Sequence, residues 1–300
     1  MLSVLSNVLI QIGFPKTGST YLQEWFKAHP SIMYGGKSIL GFYDSWEIER
    51  YVQQATYFQY HTIKLSAIGL RGNVHQMIQS DFTNNQIDLY QARLAETMYR
   101  LFPTAKVLIV TRGFKSMLAS LYTEYIVTGG TAPFSAFFDQ YKPGILKAYN
   151  YDNLVRCFQT VYGEENVIVL PFELLQDDPN KFIQSIERAL QIENSIQFAT
   201  SKVNASPTKK YLYANLRLSN FVYKSIRFFP LAVQRRLYGF YARLLNKRKN
   251  HFLIQKLALL SKKEIEVEVT NQMLAPFQSN AAVLKERMAF SNYLDEYLLM

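Results

Sequence analysis

Residues 12–20 of the chain are Ile12-Gly13-Phe14-Pro15-Lys16-Thr17-Gly18-Ser19-Thr20, and this segment indicates the fold class of the domain. An apolar run typical of a buried strand, Val8 to Gly13, leads into it, and helical spacing from Thr20 to His29 comes after it. A strand, a tight loop and a helix in this order direct backbone N–H groups and the positive helix end at an anion. The segment therefore predicts a phosphate-binding loop at the start of an α/β domain.

The loop offers several groups to an anion, because Gly18 allows close backbone approach, Ser19 and Thr20 carry hydroxyls, and Lys16 carries a charge. Its two glycines have the spacing of the nucleoside triphosphate loop G-x-x-x-x-G-K-[ST], but the lysine stands at position 16 instead of after the second glycine. A later apolar run ends in Arg112 rather than in the acid that holds Mg²⁺ in kinases and NTPases. We therefore predict a donor whose transferred group needs no magnesium, and no bound metal.

Further strands and helices alternate along the chain, which is typical of βαβ units and a mostly parallel sheet. The predicted strands are a segment within Phe58–Ile68, Lys106–Thr111 and Asn166–Pro171, and the predicted helices are Gln86–Leu101, Lys115–Tyr125 and Pro179–Leu190. The sequence predicts a single domain, residues 1–300, with a P-loop-like three-layer α/β/α fold and a C-terminal basic helical region.

The net charge of +10 comes from one segment. Residues 194–263 contain 15 Lys and Arg and no acidic residue, whereas the rest of the chain has 18 basic and 23 acidic residues. Within this segment, residues 207–263 (called the basic region here) have the pattern of amphipathic helices broken near Pro230. Two interpretations remain open: a basic face turned to solvent, or a surface through 209–263 that binds an anionic membrane or polymer. No recognised nucleic-acid motif is present, so nucleic acid is not a predicted partner.

The first residues and the cysteine content favour a cytoplasmic location. Met1 to Asn7 lack the basic start and the cleavage site of a signal peptide, and no apolar run is long enough to span a membrane. The single cysteine, Cys157, excludes an internal disulfide framework and is interpreted as a packed apolar residue. The predicted location is the cytoplasm, peripheral at the inner membrane face if the basic region binds lipid.

Two motifs resemble those of sulfotransferases that use 3′-phosphoadenosine 5′-phosphosulfate (PAPS). The segment from Phe14 to Gln23 is similar to their 5′-phosphosulfate loop. Arg112 ends a predicted strand and Ser120 follows eight residues later on the next predicted helix, like the Arg–Ser pair that grips the 3′-phosphate in that family. Weaker similarity to bacterial-type and carbohydrate sulfotransferases extends through residues 120–129, 167–179 and 202–207 and recurs near Ser279.

The resemblance implies that PAPS is the co-substrate and that an acceptor hydroxyl or amine attacks sulfur in line. Lys16 would stabilise the charge that grows on the bridging oxygen. The acceptor would be a glycan or glycolipid, such as a lipid-linked sugar. The implied donor-binding residues are Lys16, Thr17, Gly18, Ser19, Thr20, Arg112 and Ser120.

The sequence departs from the family at the general base. Many members carry a His or Glu just after the second strand, as in a Ser-x-Glu-Gly-Leu type motif, but here the matching residue is Ile68. The nearest replacements are His75, Asp44 and His61. We favour His75 because imidazole titrates in the range that suits base chemistry.

The missing acid leaves a second function open, a non-catalytic protein of the same fold that binds nucleotides or anionic glycans. A P-loop kinase is a third alternative, and the displaced Lys16 argues against it.

Overall fold

A computed structural model describes residues 8–14, 17–32, 62–64, 86–192, 196, 198, 207–245 and 251–299. Its sheet has four strands in the order β2-β1-β3-β4, and every neighbouring pair is parallel. The strands are β1 (Leu9–Gly13), β2 (Thr62–Lys64), β3 (Lys106–Thr111) and β4 (Val167–Pro171). The mostly parallel sheet predicted from the sequence is confirmed.

Eleven α-helices lie in the described ranges, and short 3₁₀ turns follow them near the C-terminus, among them Leu294–Tyr297. The helices are α1 (Ser19–Ala28), α2 (Gln86–Leu101), α3 (Phe114–Val127), α4 (Phe134–Ala148), α5 (Tyr151–Tyr162), α6 (Phe172–Asp177), α7 (Pro179–Leu190), α8 (Lys209–Ile226), α9 (Leu231–Leu245), α10 (His251–Leu260) and α11 (Asn271–Leu274).

The sheet lies between two apolar layers because its strands are buried on both faces. Along β3, Val107 and Ile109 face one core, while Leu108 and Val110 face the other. The first core is filled by α2, α3, α4, α5, α8 and the C-terminal turns, and the second by α1, α6 and α7. This arrangement confirms the predicted three-layer α/β/α fold.

Predicted and observed elements agree closely where local signals are strong. The predicted helices Gln86–Leu101 and Pro179–Leu190 have those bounds, and Asp178 caps the second by accepting a hydrogen bond of 2.9 Å from the Lys181 N–H. Helix α4 was not predicted. It contains Pro143 near its end, and a proline inside a helix removes a backbone hydrogen bond, so local rules treat this stretch as broken.

The basic region forms α8, α9 and α10, with the break at Pro230 that the sequence indicates. Helix α8 is tied to the loop after α3 by a 2.7 Å hydrogen bond from the Asn220 side chain to the Thr131 carbonyl. The Tyr238 hydroxyl of α9 donates to the Gly129 carbonyl in the same loop. Among the helices that the structure describes, none has the length and hydropathy to cross a membrane.

Candidate active site

Three parallel strands end side by side, and the residue after each strand belongs to the candidate site. Gly13 of β1 is in register with Val110 of β3, and Thr111 of β3 is in register with Pro171 of β4. Because the carboxyl ends of parallel strands share one edge, the chain leaves this edge at Phe14, Arg112 and Phe172. In open α/β sheets, ligands bind in the crevice outside these strand ends.

The described part of the phosphate loop turns directly into α1. The Thr17 hydroxyl is buried and donates a 2.8 Å hydrogen bond to the Phe14 carbonyl, which closes the turn. Any contact of Thr17 with an anion would therefore use its backbone N–H. Ser19 and Thr20 are half-buried in the first turn of α1, which has no acidic residue to oppose an anion.

Gly18 sits where a side chain has no room. Its φ of 74° lies in the left-handed region that favours glycine. A Cβ atom added there would lie 2.3 Å from Leu175 Cδ2 and 3.3 Å from the ring of Phe172. Both neighbouring side chains belong to α6, so Gly18 packs closely against the helix that follows β4.

Arg112 leaves the end of β3 and lies over the same aromatic ring. Its Cζ is 4.9 Å from the centre of the Phe172 ring, and its Nε donates a 2.9 Å hydrogen bond to the Ser116 hydroxyl. Phe172 therefore lies next to the space that a side chain at Gly18 would fill and also next to the Arg112 guanidinium. The sequence alone did not indicate a role for this ring.

Burial lowers the pKa of Arg112 from its usual value, and the nearby Glu173 carboxylate acts in the opposite direction. An arginine remains protonated at neutral pH under such a shift. Its charge is partly desolvated, and a partly desolvated guanidinium binds an anion more strongly than one in water. The position suits a phosphate or sulfate group.

A buried hydrogen-bond network holds the backbone next to Arg112. Glu173 accepts from the Gly113 N–H at 3.0 Å and from the Tyr297 hydroxyl at 2.9 Å. The Tyr297 hydroxyl lies 2.9 Å from the Thr111 hydroxyl, and burial raises the pKa of Tyr297 well above its usual value. We call Arg112, Ser116, Phe172, Glu173 and Tyr297 the strand-end cluster.

Two tyrosines join this cluster to the phosphate loop. The Tyr151 hydroxyl donates to the Arg112 carbonyl at 2.6 Å and accepts from the Arg112 N–H at 3.3 Å. Its ring packs edge-on against Phe14 with centroids 5.3 Å apart, and Tyr149 stacks on Phe14 at 4.9 Å. The end of β1 and the end of β3 are therefore fixed relative to each other through aromatic contacts.

Helix α3 faces the site with a stripe of small and polar residues. The half-buried positions Ser116, Ser120 and Glu124 are spaced by four residues and lie on one face, while most of the remaining helix is buried. The sequence predicts that Arg112 and Ser120 converge. The Arg112 Nε donates to Ser116, which lies one turn before Ser120 on the same stripe.

Several predicted site residues lie outside the described residues: Lys16, His75 and the alternative bases Asp44 and His61, together with Ile68. Residues that the sequence analysis did not single out are Ser116, Tyr151, Phe172, Glu173 and Tyr297. Glu173 lies two residues after the end of the buried strand β4, and this position is a usable sequence signal. The ranges described hold no group of three or more His, Cys, Asp or Glu residues placed to bind a metal.

Comparison with known proteins identifies the family. A family model described as "Sulfotransferase family" matches residues 9–195, which is more than half of the chain. This chain belongs to the sulfotransferase family. The matched range contains both motifs on which the sequence prediction rests, so the predicted resemblance is confirmed, and the protein is an enzyme of sulfuryl transfer.

Solved structures of sulfotransferases are also similar to this chain. A sulfotransferase from Alicyclobacillus acidocaldarius is 16% identical, with a TM-score of 0.44 over 77% of this chain and 98% of that one. The mouse sulfotransferase SULT7A1 complexed with PAP is 12% identical, with a TM-score of 0.40 over 85% of this chain and 90% of that one. No curated protein matches the sequence significantly.

Proposed function

We propose that this sulfotransferase moves a sulfuryl group from PAPS to a hydroxyl or amine of a carbohydrate or lipid-linked sugar by in-line displacement. The observation that carries the donor assignment is Arg112, a partly desolvated guanidinium at a strand end that lies over Phe172, in the helix that packs against Gly18. The mouse relative named above was solved with PAP, the product that PAPS leaves.

The donor has two anionic ends, and the site has two groups of anion-binding residues. The 5′-phosphosulfate suits Lys16 and the N-terminal turn of α1, with N–H groups of Thr17 and Gly18 and hydroxyls of Ser19 and Thr20. The 3′-phosphate suits Arg112 and Ser120, because a guanidinium fork and a hydroxyl on the facing helix can bind one phosphate together.

In the proposed reaction the acceptor oxygen forms a bond to sulfur while the bond from sulfur to the bridging oxygen breaks. Adenosine 3′,5′-bisphosphate (PAP) leaves with the electron pair of that bond, and Lys16 stabilises the charge on the leaving oxygen. An acceptor hydroxyl also needs a general base. The sequence prediction for that base is His75, which lies outside the residues described.

Binding calorimetry tests the donor assignment directly. PAP and ATP with Mg²⁺ are titrated into the wild type, into Arg112→Ala, and into Arg93→Ala, which removes an exposed arginine of α2. We expect PAP to bind more tightly than ATP, Arg112→Ala to weaken PAP binding about 100-fold, and Arg93→Ala to leave it unchanged. Tighter binding of ATP with Mg²⁺ would overturn the assignment.

A transfer assay tests the reaction and the acceptor class. Labelled PAPS is incubated with a panel of free glycans, lipid-linked sugars and simple alcohols, and PAP release is measured along with labelled products. Transfer to a sugar of the panel supports the proposal. Tight PAP binding without any PAP release from PAPS supports the alternative of a non-catalytic nucleotide- or glycan-binding protein.

We also propose that the basic region binds the anionic inner face of a membrane, with the enzyme otherwise in the cytoplasm. Large apolar side chains stand in water where α8 passes into α9: Phe228 in the turn is 80% exposed, and Leu231 at the start of α9 is 71% exposed. The Arg227 guanidinium lies 4.9 Å from the centre of the Phe228 ring. Apolar side chains beside basic ones, without acidic residues, match an interface of anionic lipid headgroups.

Helix α9 supports this proposal because most of its surface is exposed. The described side chains that face outward include Val233, Leu237 and Phe240 together with Arg236, while Gly239 is buried. On α10, Leu259 and Leu260 are 84% and 81% exposed. A membrane location would bring the enzyme to a lipid-linked acceptor, so the two proposals agree.

Vesicle co-sedimentation tests the membrane proposal. We expect the protein to bind vesicles that contain anionic phospholipid, to release as salt is raised, and to ignore purely zwitterionic vesicles. A variant with Phe228→Ser and Leu231→Ser should bind less, whereas Met288→Ser, which changes an exposed side chain elsewhere, should not. Absence of binding at low salt would refute the proposal.

A further inference from the structure

The polar stripe of α3 extends one turn beyond the residues assigned to the donor and ends in a carboxylate. Ser116, Ser120 and Glu124 occupy successive turns of one face, and each is half-buried. The face is oriented by contact, because the Ser116 hydroxyl accepts from Arg112 Nε at 2.9 Å. With a rise of about 1.5 Å per residue, Glu124 lies about 6 Å beyond Ser120 along the helix.

Glu124 is also linked electrostatically to a tyrosine that packs on the end of β1. Burial raises the pKa of Tyr149 above its usual value, the Arg112 charge opposes this shift and the Glu124 carboxylate adds to it. Tyr149 is therefore within electrostatic reach of both Arg112 and Glu124, while its ring stacks on Phe14, where β1 enters the phosphate loop. The carboxylate is thus one turn beyond Ser120 on the stripe and within electrostatic reach of the tyrosine that stacks on Phe14.

A carboxylate at this position has no evident use in holding the donor, because it would repel both anionic ends of PAPS. A group that accepts a proton from an acceptor hydroxyl has the opposite requirement: it must be ionised before the reaction and must lie beside the transferred group. In this sequence Ile68, and not an acid, occupies the position where many relatives carry their base. The helix stripe supplies one from a different element.

We propose that Glu124 is the general base of the reaction and that it, rather than His75, receives the proton of the acceptor. The inference rests on the sulfuryl transfer proposed above. As the acceptor oxygen bonds to sulfur and the bond from sulfur to the bridging oxygen breaks, the hydroxyl proton moves to a Glu124 carboxylate oxygen. PAP leaves with the bonding electron pair, and the protonated carboxyl returns its proton to water.

Three variants test the inference: Glu124→Gln, Glu124→Asp and His75→Ala. The control is Glu96→Gln, which neutralises an exposed glutamate of α2. PAP release from PAPS is measured with water alone and with each acceptor of the panel, and PAP affinity is measured by calorimetry. We expect Glu124→Gln to lower turnover about 100-fold or more, Glu124→Asp to recover part of it, and Glu96→Gln to have no effect.

PAP affinity separates a base from a structural residue. Since Glu124→Gln removes a negative charge near the anion site, PAP should bind as tightly as in the wild type or more tightly. Turnover of Glu124→Gln within about threefold of the wild type, or a loss of PAP affinity that parallels the loss of turnover, overturns the inference. So does a large loss in His75→Ala when Glu124→Gln is active.

The failure of the proposed function has a different signature. A wild type that binds PAP but releases none from PAPS, with water or with any acceptor, refutes sulfuryl transfer and the base assignment together. A wild type that turns over PAPS while Glu124→Gln does so equally well refutes the base assignment alone.

Discussion

The strand-end cluster and the basic region both carry positive charge, and they use it in opposite ways. In the strand-end cluster one arginine is stacked on Phe172, bonded to Ser116 and close to the buried Glu173. The basic region carries most of the 15 basic residues of segment 194–263, and many of its side chains are in water. A fixed, partly desolvated charge can bind one ligand in one geometry. Many exposed charges of one sign instead attract any surface of opposite charge. Substitutions in the first region should therefore act on folding and donor binding, and those in the second on neither.

The largest effect is expected at Gly18. Gly18→Val adds a branched side chain at φ 74° and against Leu175, so we expect a loss of about 3 kcal/mol or more in unfolding free energy and no PAP binding. Denaturant unfolding and calorimetry measure both. Gly144→Ala is the matched control: no atom lies within 4 Å of the added Cβ, so helix α4 should gain about 0.5–1 kcal/mol. A fully stable Gly18→Val protein would contradict the tight approach of α6 to the loop.

Alkaline pH should destabilise the protein steeply, because burial raises the pKa of Tyr151 and Tyr297 well above the ordinary value of 10.0. In the unfolded chain both ionise near pH 10, while in the folded protein they stay protonated. The stability from their neutral forms is complete below pH 10 and is lost above it, by about 1.4 kcal/mol per pH unit for each. The free energy of unfolding measured from pH 9 upward gives the slope. Tyr297→Phe should reduce that slope by about 1.4 kcal/mol per pH unit, which is the contribution of one tyrosine. An unchanged slope would contradict the burial of this hydroxyl.

Glu173 should matter for both stability and donor binding. Glu173→Ala leaves the Gly113 N–H and the Tyr297 hydroxyl without their acceptor, which costs about 2 kcal/mol in buried surroundings. PAP affinity should fall as well, because the backbone next to Arg112 loses its anchor. Thermal unfolding and calorimetry provide the two readouts, and Glu165→Ala on an exposed turn serves as the control. If Glu173→Ala lowered stability but not PAP affinity, the hydrogen-bond network would not contribute to donor binding.

Tyr297→Phe should have a smaller effect, about 1 kcal/mol, since the ring keeps its packing and only the hydroxyl between Thr111 and Glu173 is lost. The control is Tyr99→Phe, at a side chain that is 39% exposed. Equal losses in the two variants would mean that the bridging hydroxyl contributes nothing to stability.

The smallest effect on folding is expected in the basic region. Reversing Lys224 and Arg227 to Glu should leave the free energy of unfolding and PAP affinity within about 0.5 kcal/mol of the wild type, since both side chains are exposed. Binding to anionic vesicles should weaken by about 1 kcal/mol or more for each reversed charge. A loss of PAP affinity would show that the two regions are not independent.

The sequence predicts the fold and the position of Arg112 well because these depend on local signals. Buried strands, a loop between glycines and a charged residue at a strand end are all visible within ten residues or so. Phe172, Glu173 and Tyr297 were not predicted as partners of Arg112. Tyr297 is separated from Glu173 by 124 positions, and no local pattern encodes a contact at that separation. The sequence does not single out Glu124 either, because only the contact between Ser116 and Arg112 shows which way its face of α3 is oriented.

The ring of Phe172 has a consequence for donor selection. The ring is 3.3 Å from the place that a Cβ atom at Gly18 would take, and its centre is 4.9 Å from the Arg112 Cζ, so one side chain neighbours both points proposed to bind the donor. On the proposed donor these points correspond to the 5′ and 3′ groups, whose separation is fixed by one ribose. A nucleotide without its 3′-phosphate would lack the group proposed to bind Arg112, and we expect it to bind more weakly. Phe172 would in this way couple recognition of the two ends of the donor.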